Sequence, residues 1–170
     1  MIVPDVLADN LALVLCGTAP SRASKEARAY YAHPGNIFWK TLHDVRLTPR
    51  LLFPAEYPLV LGFGIGLTDL NKTEWGADSE LSHAEFDVGG FTAKMMRHRP
   101  ALIAFDSKFA ARKFFGRNSV PYGPQDQTLD GIPLFVVPST SGRARMYFDL
   151  APWRELSRRT RASRWFRATG

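Results

Sequence analysis

Four short blocks of the sequence combine glycine or proline with side chains that can carry chemistry. They lie at residues 17–21, 30–40, 66–70 and 138–145. A carboxylate such as Asp69 in the third block can orient a water molecule and accept its proton. Small residues such as Ser139 and Gly142 in the fourth block leave backbone N–H groups free to approach an anion. The blocks therefore predict a polar site for water chemistry beside an anion-binding loop.

Short apolar runs precede these blocks and predict the strands that position them. Residues 11–16, 101–105 and 133–137 have the length and continuity of strands covered on both faces. Residues 59–64 predict a fourth strand, although the neighbouring glycines blur its edges. Uninterrupted apolar runs of this kind are typical of a parallel sheet.

Helical signals fall between the apolar runs, and Asp106 or Ser107 can cap the third of the helices. The predicted helices span residues 36–44, 82–98, 107–115 and about 149–161. The alternation predicts an α/β fold, a three-layer α/β/α domain with a central, mostly parallel four-stranded sheet. Ligands bind beyond the carboxyl ends of such strands, so the loops after Cys16, Phe105 and Val137 should hold the site.

The rest of the chain shows no repeat and no linker, so we expect one domain over residues 1–170. Residues 116–132 are rich in Gly, Pro, Asn and Gln and predict a long surface loop, with a short hairpin through Asp130 and Gly131 as an alternative. The basic tail, about residues 162–170, is either a fraying solvated end or a segment that contacts phosphates.

Composition narrows the partners and the compartment. The chain carries 22 Lys and Arg against 16 Asp and Glu, a formal charge of +6, which favours a polyanionic partner but is also found in proteins that bind no nucleic acid. The single cysteine, Cys16, excludes an intrachain disulfide and a cysteine-based metal site. No apolar run is long enough to span a membrane. We expect a soluble, uncleaved monomer in a reducing cytoplasm.

The four blocks resemble motifs of one enzyme family. The segment Ala32-His33-Pro34-Gly35-Asn36-Ile37-Phe38-Trp39-Lys40 is very similar to the "AHPxNxFWK" signature of the mismatch-specific uracil-DNA and thymine-DNA glycosylases. The blocks at 17–21, 66–70 and 138–145 occupy the places of their "GxNPG", "GVT" or "GLT", and "PNPSGLSR" motifs, in order over about residues 3–160. The resemblance implies an enzyme that flips uracil out of double-stranded DNA, notably from G:U mismatches, and hydrolyses its N-glycosidic bond without metal or organic cofactor.

The resemblance also assigns roles around the base. Tyr31 occupies the position of the stacking aromatic, with packing in the core as the alternative. Backbone N–H groups of Thr18 and of residues 31–33 match donors to uracil O2. We interpret His33 as a buried residue that satisfies its loop rather than as a catalyst. Asn36 should brace the pocket as a cap, beside the core aromatics Phe38 and Trp39.

The sequence departs from the family at Ala19, where relatives carry the asparagine that positions the attacking water. A methyl group cannot do this, so either activity is lost or another residue has taken the role. Asp69 is the candidate replacement, because its carboxylate can orient water, accept a proton and stabilise a cationic sugar. The alternative is that Asp69 only caps a turn with Thr68 and Asn71.

The fourth block should hold the DNA. Ser139, Ser141 and Gly142 can approach phosphates through backbone N–H groups, and Ser139 is also a predicted substrate-binding residue, as is Ala19. Arg143 stands where relatives place an apolar wedge, and with Arg145 it either fills the gap left by the flipped base or is an ordinary exposed charge.

Two other functions compete with a glycosylase. One is a non-catalytic member that binds uracil or damaged DNA without cleaving it. The other is a nucleotide-binding enzyme, although no glycine-rich phosphate loop follows the first strand. No lysine matches a family nucleophile, neither Lys40 nor Lys72 nor Lys94, so a bifunctional lyase is not expected.

Overall fold

Five strands and five α-helices alternate along the chain in a computed structural model that describes residues 1–81 and 85–169. The strands are β1 (Leu13–Gly17), β2 (Ile65–Asp69), β3 (Ile103–Phe105), β4 (Gly123–Leu129) and β5 (Ile132–Val136). The helices are α1 (Arg22–Ala27), α2 (Phe38–Asp44), α3 (Val88–His98), α4 (Lys108–Phe115) and α5 (Ala151–Arg161). Two 3₁₀ segments, Pro54–Phe63 and Gly142–Tyr147, complete the elements.

The strand order is β2-β1-β3-β5-β4, and every neighbouring pair is parallel except β5 and β4. Two buried clusters cover the sheet. Side chains such as Leu13 and Leu15 of β1 pack with α2 and α5, whereas Val14 and Cys16 pack with α3 and α4. The predicted three-layer α/β/α architecture is confirmed, with five strands where four were predicted.

The fifth strand is β4, which lies inside the predicted surface loop. Its residues 125–128 are polar and mostly exposed, because it is an edge strand with little of its surface in the core. No apolar alternation marks such a strand. The predicted hairpin through Asp130 and Gly131 is confirmed, since both residues have positive φ, at 48° and 86°, as a two-residue turn of this type requires.

Two other element predictions were wrong, and one helix was missed. Residues 59–64 are not a strand, because Pro54 and Pro58 favour a 3₁₀ segment that Gly64 ends at φ 80°, and β2 begins one residue later. Helix α3 begins only at Val88, capped by Asp87, so residues 85–87 are not helical, and the predicted residues 82–84 lie outside the described part of the chain. Helix α1 was not predicted at all.

The basic tail packs against the amino end of β2. The Arg167 N–H donates to the Phe63 carbonyl at 3.1 Å, and Phe166 contacts the α2/α5 side of the core. Trp165 passes so close to Gly64 that a Cβ there would lie 2.2 Å from the Trp165 carbonyl oxygen. The described tail is therefore docked rather than frayed. Within the described residues, no helix has the length and apolar character needed to cross a membrane.

Candidate active site

Strand β1 ends at Gly17 between the ends of β2 and β3, and this glycine brings two carboxylates together. Asp69 is the last residue of β2 and pairs with Gly17 in register. Asp106 directly follows β3, and its N–H donates to the Cys16 carbonyl at 3.0 Å. A Cβ on Gly17 would lie 2.6 Å from Asp69 Oδ1 and 2.8 Å from Asp106 Oδ2. The carboxylates thus fill the space that a larger residue 17 would need.

Asp69 is nearly inaccessible, with 5% of its surface exposed. Its Oδ1 atom points toward Gly17 and Asp106, whereas its buried Oδ2 has no hydrogen-bond partner among the described residues. Burial raises the pKa of the Asp69 carboxyl to about 6, against the opposing charge of Lys72. Buried polar atoms are nearly always hydrogen-bonded, so a carboxylate oxygen without a hydrogen bond makes this strand end the candidate functional site.

Lys72 is the cation that faces Asp69. Its Nζ lies 3.6 Å from Asp69 Oδ2, 3.1 Å from Asp5 Oδ1 and 3.0 Å from the Tyr30 hydroxyl, to which it donates. Lys94 donates to the other oxygen of Asp5 at 2.6 Å. Burial raises the pKa of Asp5, but the two lysines outweigh burial and hold this pKa below its usual range. Lys72 therefore supplies a fixed positive charge behind Asp69.

Tyr31 fixes the second carboxylate. Its hydroxyl donates to Asp106 Oδ2 at 2.7 Å, and its ring stacks on Phe38 with centroids 3.6 Å apart and planes 15° apart. The backbone of Tyr31 has φ 53°, a left-handed conformation that costs energy for a residue with a side chain and is typical of functional sites. Burial raises the pKa of Asp106 to about 7, with the Tyr31 hydrogen bond opposing and the Asp69 charge adding. We call Gly17, Tyr31, Asp69 and Asp106 the pocket floor.

A cavity of about 990 Å³ opens above the pocket floor. All the substrate-binding and catalytic residues predicted from the sequence line it: Thr18, Ala19, Tyr31, His33, Asn36, Asp69 and Ser139. Of the predicted DNA-binding residues, Ser141, Gly142 and Arg143 line it, whereas Arg145 does not. The structure thus brings three of the sequence blocks and the end of β2 together around one cavity.

The position of Asp69 differs from the prediction in detail. It is the final strand residue rather than part of a glycine-rich loop, because β2 runs three residues beyond Gly66. It also caps no turn. Asn71 Oδ1 accepts the N–H groups of Thr73 and Glu74, and the Thr68 hydroxyl donates to Asp5. The turn is satisfied without the Asp69 side chain.

The second sequence block forms the cavity wall. His33 is exposed, so the prediction that it is buried was wrong, but its Nδ1 accepts the Gly35 N–H at 2.9 Å and does satisfy the loop. Asn36 Oδ1 accepts both the Phe38 N–H at 2.9 Å and the Thr140 hydroxyl at 2.8 Å. These two bonds orient the Asn36 amide and leave its NH₂ group as a donor.

Two exposed segments border the cavity, residues 75–80 and the 3₁₀ segment Gly142–Tyr147, and we call them the pocket rim. Gly142 approaches Gly35 so closely that a Cβ would lie 3.4 Å from the Gly35 carbonyl, to which Arg145 donates at 3.2 Å. Partial burial raises the pKa of Asp78, while the Thr18 hydroxyl and the Arg143 charge lower it. The rim thus carries arginines on one side and an acid on the other.

Sequence reasoning missed Asp106, Lys72 and the exposed apolar tip of the rim. Asp106 appeared only as a candidate cap, yet Ser107 is the cap of α4, since its Oγ accepts the Ala110 N–H at 3.0 Å. Its place directly after a buried strand was the available signal, because such loops carry ligand-binding residues. Met146 and Tyr147 are 91% and 79% exposed. Among the residues described, no cluster of His, Cys, Asp and Glu could hold a metal ion.

Comparison with known proteins agrees with this arrangement. The chain is similar in fold to a protein from Methanosarcina acetivorans, solved in solution by NMR and provisionally described as a uracil DNA glycosylase, with a TM-score of 0.67 and 23% sequence identity over 94% of this chain and 96% of that one. Residues 4–161 match the family described as the uracil DNA glycosylase superfamily. The chain therefore belongs to the uracil DNA glycosylase superfamily.

Proposed function

We propose that the protein is a monofunctional glycosylase that hydrolyses the N-glycosidic bond of a uracil flipped out of double-stranded DNA and leaves an abasic site. The main support for the proposal is the Asp69 carboxylate, which lies at the cavity floor and whose Oδ2 faces Lys72 Nζ at 3.6 Å without a hydrogen bond to any described residue. Ala19 lines the same cavity. Asp69 therefore replaces the asparagine that relatives place at position 19.

The cavity is large enough to receive a flipped nucleotide. Ligand sites of about 300–1,000 Å³ hold small molecules, and this one is about 990 Å³. Phe38 covers one face of the Tyr31 ring, so only the opposite face can receive a base by offset stacking. The Asn36 NH₂ group is free to donate to a base carbonyl, because its oxygen already accepts two bonds. A carbonyl-bearing base such as uracil meets both contacts.

Asp69 would act on the water and on the sugar. Bond cleavage develops positive charge on the sugar, which a nearby carboxylate stabilises, and the same carboxylate accepts the proton of the attacking water. Lys72 supports this role because its charge favours the ionised form of Asp69. Lys72 also contacts Asp5 and Tyr30, so its amine is engaged and is not the nucleophile of a lyase.

The pocket rim would hold the duplex. Arg143 and Arg145 can pair with phosphates, and a wedge must fill the gap left by the flipped base. Met146 is the more exposed apolar side chain, at 91%, and competes with Arg143 for the wedge role. An apolar wedge unstacks neighbouring bases without needing a hydrogen-bond partner. Preference for uracil opposite guanine follows from the resemblance to the mismatch-specific glycosylases.

The experiment is single-turnover base release from DNA that carries uracil, thymine, hypoxanthine or ethenocytosine, in single strands and opposite each base. Uracil release by the parental protein, lost in Asp69→Asn by about 100- to 10,000-fold, supports the proposal. Asn at this position keeps the size of the side chain and removes its charge. Release of no base by the parental protein would contradict it.

A second function is favoured by one observation, the methyl group of Ala19 in the place of the asparagine. A non-catalytic member would bind uracil-containing DNA through the same cavity and release no base. Tight binding of uracil-containing duplex without release of any base in the panel would support that function instead.

A further inference from the structure

The two carboxylates of the pocket floor have different electrostatic surroundings. Lys72 Nζ lies 3.6 Å from Asp69 Oδ2. Over residues 1–81 and 85–169, no nitrogen of a lysine, arginine or histidine lies within 4.0 Å of the Asp106 carboxylate. A nearby cation favours an ionised carboxylate, and its absence in a partly buried site favours the neutral acid. The same floor therefore holds one carboxyl disposed to ionise and one disposed to keep its proton.

The other groups that face Asp106 reinforce the neutral form. They are the Cys16 thiol on β1, Asp69 on β2, Asp78 on the pocket rim, and the hydroxyls of Tyr31 and Ser107. Two of these groups are acids, and like charges oppose ionisation. The hydroxyls favour ionisation, but burial outweighs them and raises the pKa of Asp106 to about 7.

The geometry points to a division of labour that rests on the proposed function: Asp106 is a general acid that donates a proton to the departing base, while Asp69 takes the proton of the attacking water. Pairs of carboxyl groups whose environments separate their protonation states are the usual basis of such assignments. Tyr31 occupies Asp106 Oδ2 by its hydrogen bond, which leaves Oδ1 to carry the acid proton. Asp106 lines the base cavity and can reach its occupant.

The step balances as an ordinary hydrolysis. The water oxygen bonds to C1′ of the sugar as the bond from C1′ to the base nitrogen breaks, and the electron pair of that bond goes to the base. One water proton passes to Asp69. The Asp106 proton passes to the base at O2, where negative charge develops, so the base leaves neutral. Proton return from Asp69 to Asp106 restores the starting state, and one oxygen of each residue, Asp69 Oδ1 and Asp106 Oδ2, borders the Gly17 position.

A general acid matters most when the leaving group is a poor one. Uracil and 5-fluorouracil have nearly the same shape, but fluorine withdraws electrons and makes the departing base more stable as an anion. Removing the acid should therefore slow uracil release more than 5-fluorouracil release. The comparison cancels effects on DNA binding and base flipping, since both bases use the same cavity and the same duplex.

The test measures single-turnover release of both bases, each opposite guanine, by the parental protein and by Asp106→Asn. We expect uracil release to fall by about 100-fold or more. The fold-decrease in 5-fluorouracil release should be about ten times smaller than the fold-decrease in uracil release. If Asp106 must be protonated to act, the parental rate of uracil release should decline as pH rises above about 7. This decline should be absent in the variant. Asp78→Asn is the matched control, because it removes a carboxylate from the same cavity and should change both rates by one common factor.

Folding of Asp106→Asn is checked by thermal unfolding. The folded pKa of Asp106 lies above its ordinary value of 3.8, so this carboxyl lowers stability as pH rises from about 3.8 to about 7. The variant should therefore unfold at no lower a temperature than the parental protein at neutral pH. A folded variant with equal losses on both bases would overturn the general-acid role and leave the proposed function intact. Parental protein that releases neither base would overturn the proposed function, and this role with it.

Discussion

The pocket floor and the pocket rim are built in opposite ways. The floor lies where the parallel strands β1, β2 and β3 end, and its side chains contact one another, as the 2.7 Å hydrogen bond from the Tyr31 hydroxyl to Asp106 illustrates. The rim is a pair of exposed segments, and its Met146 and Tyr147 are 91% and 79% exposed. Preorganised charges suit bond breaking, whereas exposed arginines and apolar tips suit contact with a duplex. On this difference we propose that the chemistry takes place at the floor and that the rim binds DNA.

The change with the largest expected effect on the floor is Gly17→Ala. The new Cβ would lie 2.6 Å and 2.8 Å from oxygens of Asp69 and Asp106, so both carboxylates must move. Displacement of catalytic groups by about 1 Å costs roughly 100-fold. We expect single-turnover uracil release to fall by about that factor, while the dissociation constant for duplex DNA changes by less than about twofold.

Gly142→Ala is the matched control on the rim, where a Cβ would lie 3.4 Å from the Gly35 carbonyl and needs only a small adjustment. It should alter DNA affinity more than cleavage. If Gly17→Ala and Gly142→Ala reduced cleavage equally, the proposed difference between floor and rim would be wrong.

Loss of the charge behind the floor should have an intermediate effect. In Lys72→Met the carboxylate of Asp69 loses its neighbouring cation, so its pKa should rise above the present value of about 6. A smaller fraction of the protein then has an ionised Asp69 at mildly acidic pH, and uracil release near pH 6 should fall by about tenfold. The ratio of variant to parental rate should approach one as pH rises. A ratio that stays constant with pH would mean that Lys72 only supports the structure.

The rim should show its effects on duplex substrates. Met146→Ala and Arg143→Ala each remove a candidate wedge, and only a duplex leaves a gap to fill. We expect the wedge variant to lose about tenfold on uracil in duplex DNA and less than about twofold in single strands. Comparing the two variants on both substrates decides which residue is the wedge. Equal losses on both substrates would identify a phosphate contact instead.

The smallest effect is expected in the basic tail. The tail is docked at the amino end of β2, and the pocket floor is at the other end of that strand, roughly 16 Å away at about 3.3 Å per residue. Arg167→Ala should therefore leave duplex affinity and its salt dependence within about twofold of the parental values. Arg143→Ala removes the same charge on the rim and should reduce the salt dependence. A larger loss in Arg167→Ala would mean that DNA also reaches the tail.

Sequence reasoning recovered the parts of this molecule that local pattern encodes. Buried parallel strands read as apolar runs, so β1, β3 and β5 were predicted within two residues at each end. The edge strand β4 was missed because its exposed polar residues carry no such pattern. Residues 59–64 are strand-like in composition, but most of them belong to the 3₁₀ segment Pro54–Phe63, which the prolines just before them favour.

The same limit applied to the site. Asp69 was found because it stands in a recognisable block. Asp106 was not, because its role arises from the approach of β2 and β3 on either side of Gly17. The role of Lys72 was likewise missed, because it depends on an ion pair with Asp5, which is far away in sequence. Contacts between distant segments create these environments, and no single stretch of sequence records them.

The central claim is that an ionised Asp69 activates the water, and the pH dependence of single-turnover uracil release tests it most directly. Because the pKa of Asp69 is raised to about 6, the rate of uracil release should rise as pH increases through that value and the Asp69 carboxyl ionises. Asp69→Asn should be slow and show no such rise. A parental rate that is level from about pH 5 to about pH 7, or an Asp69→Asn variant that cleaves at the parental rate, would contradict the account.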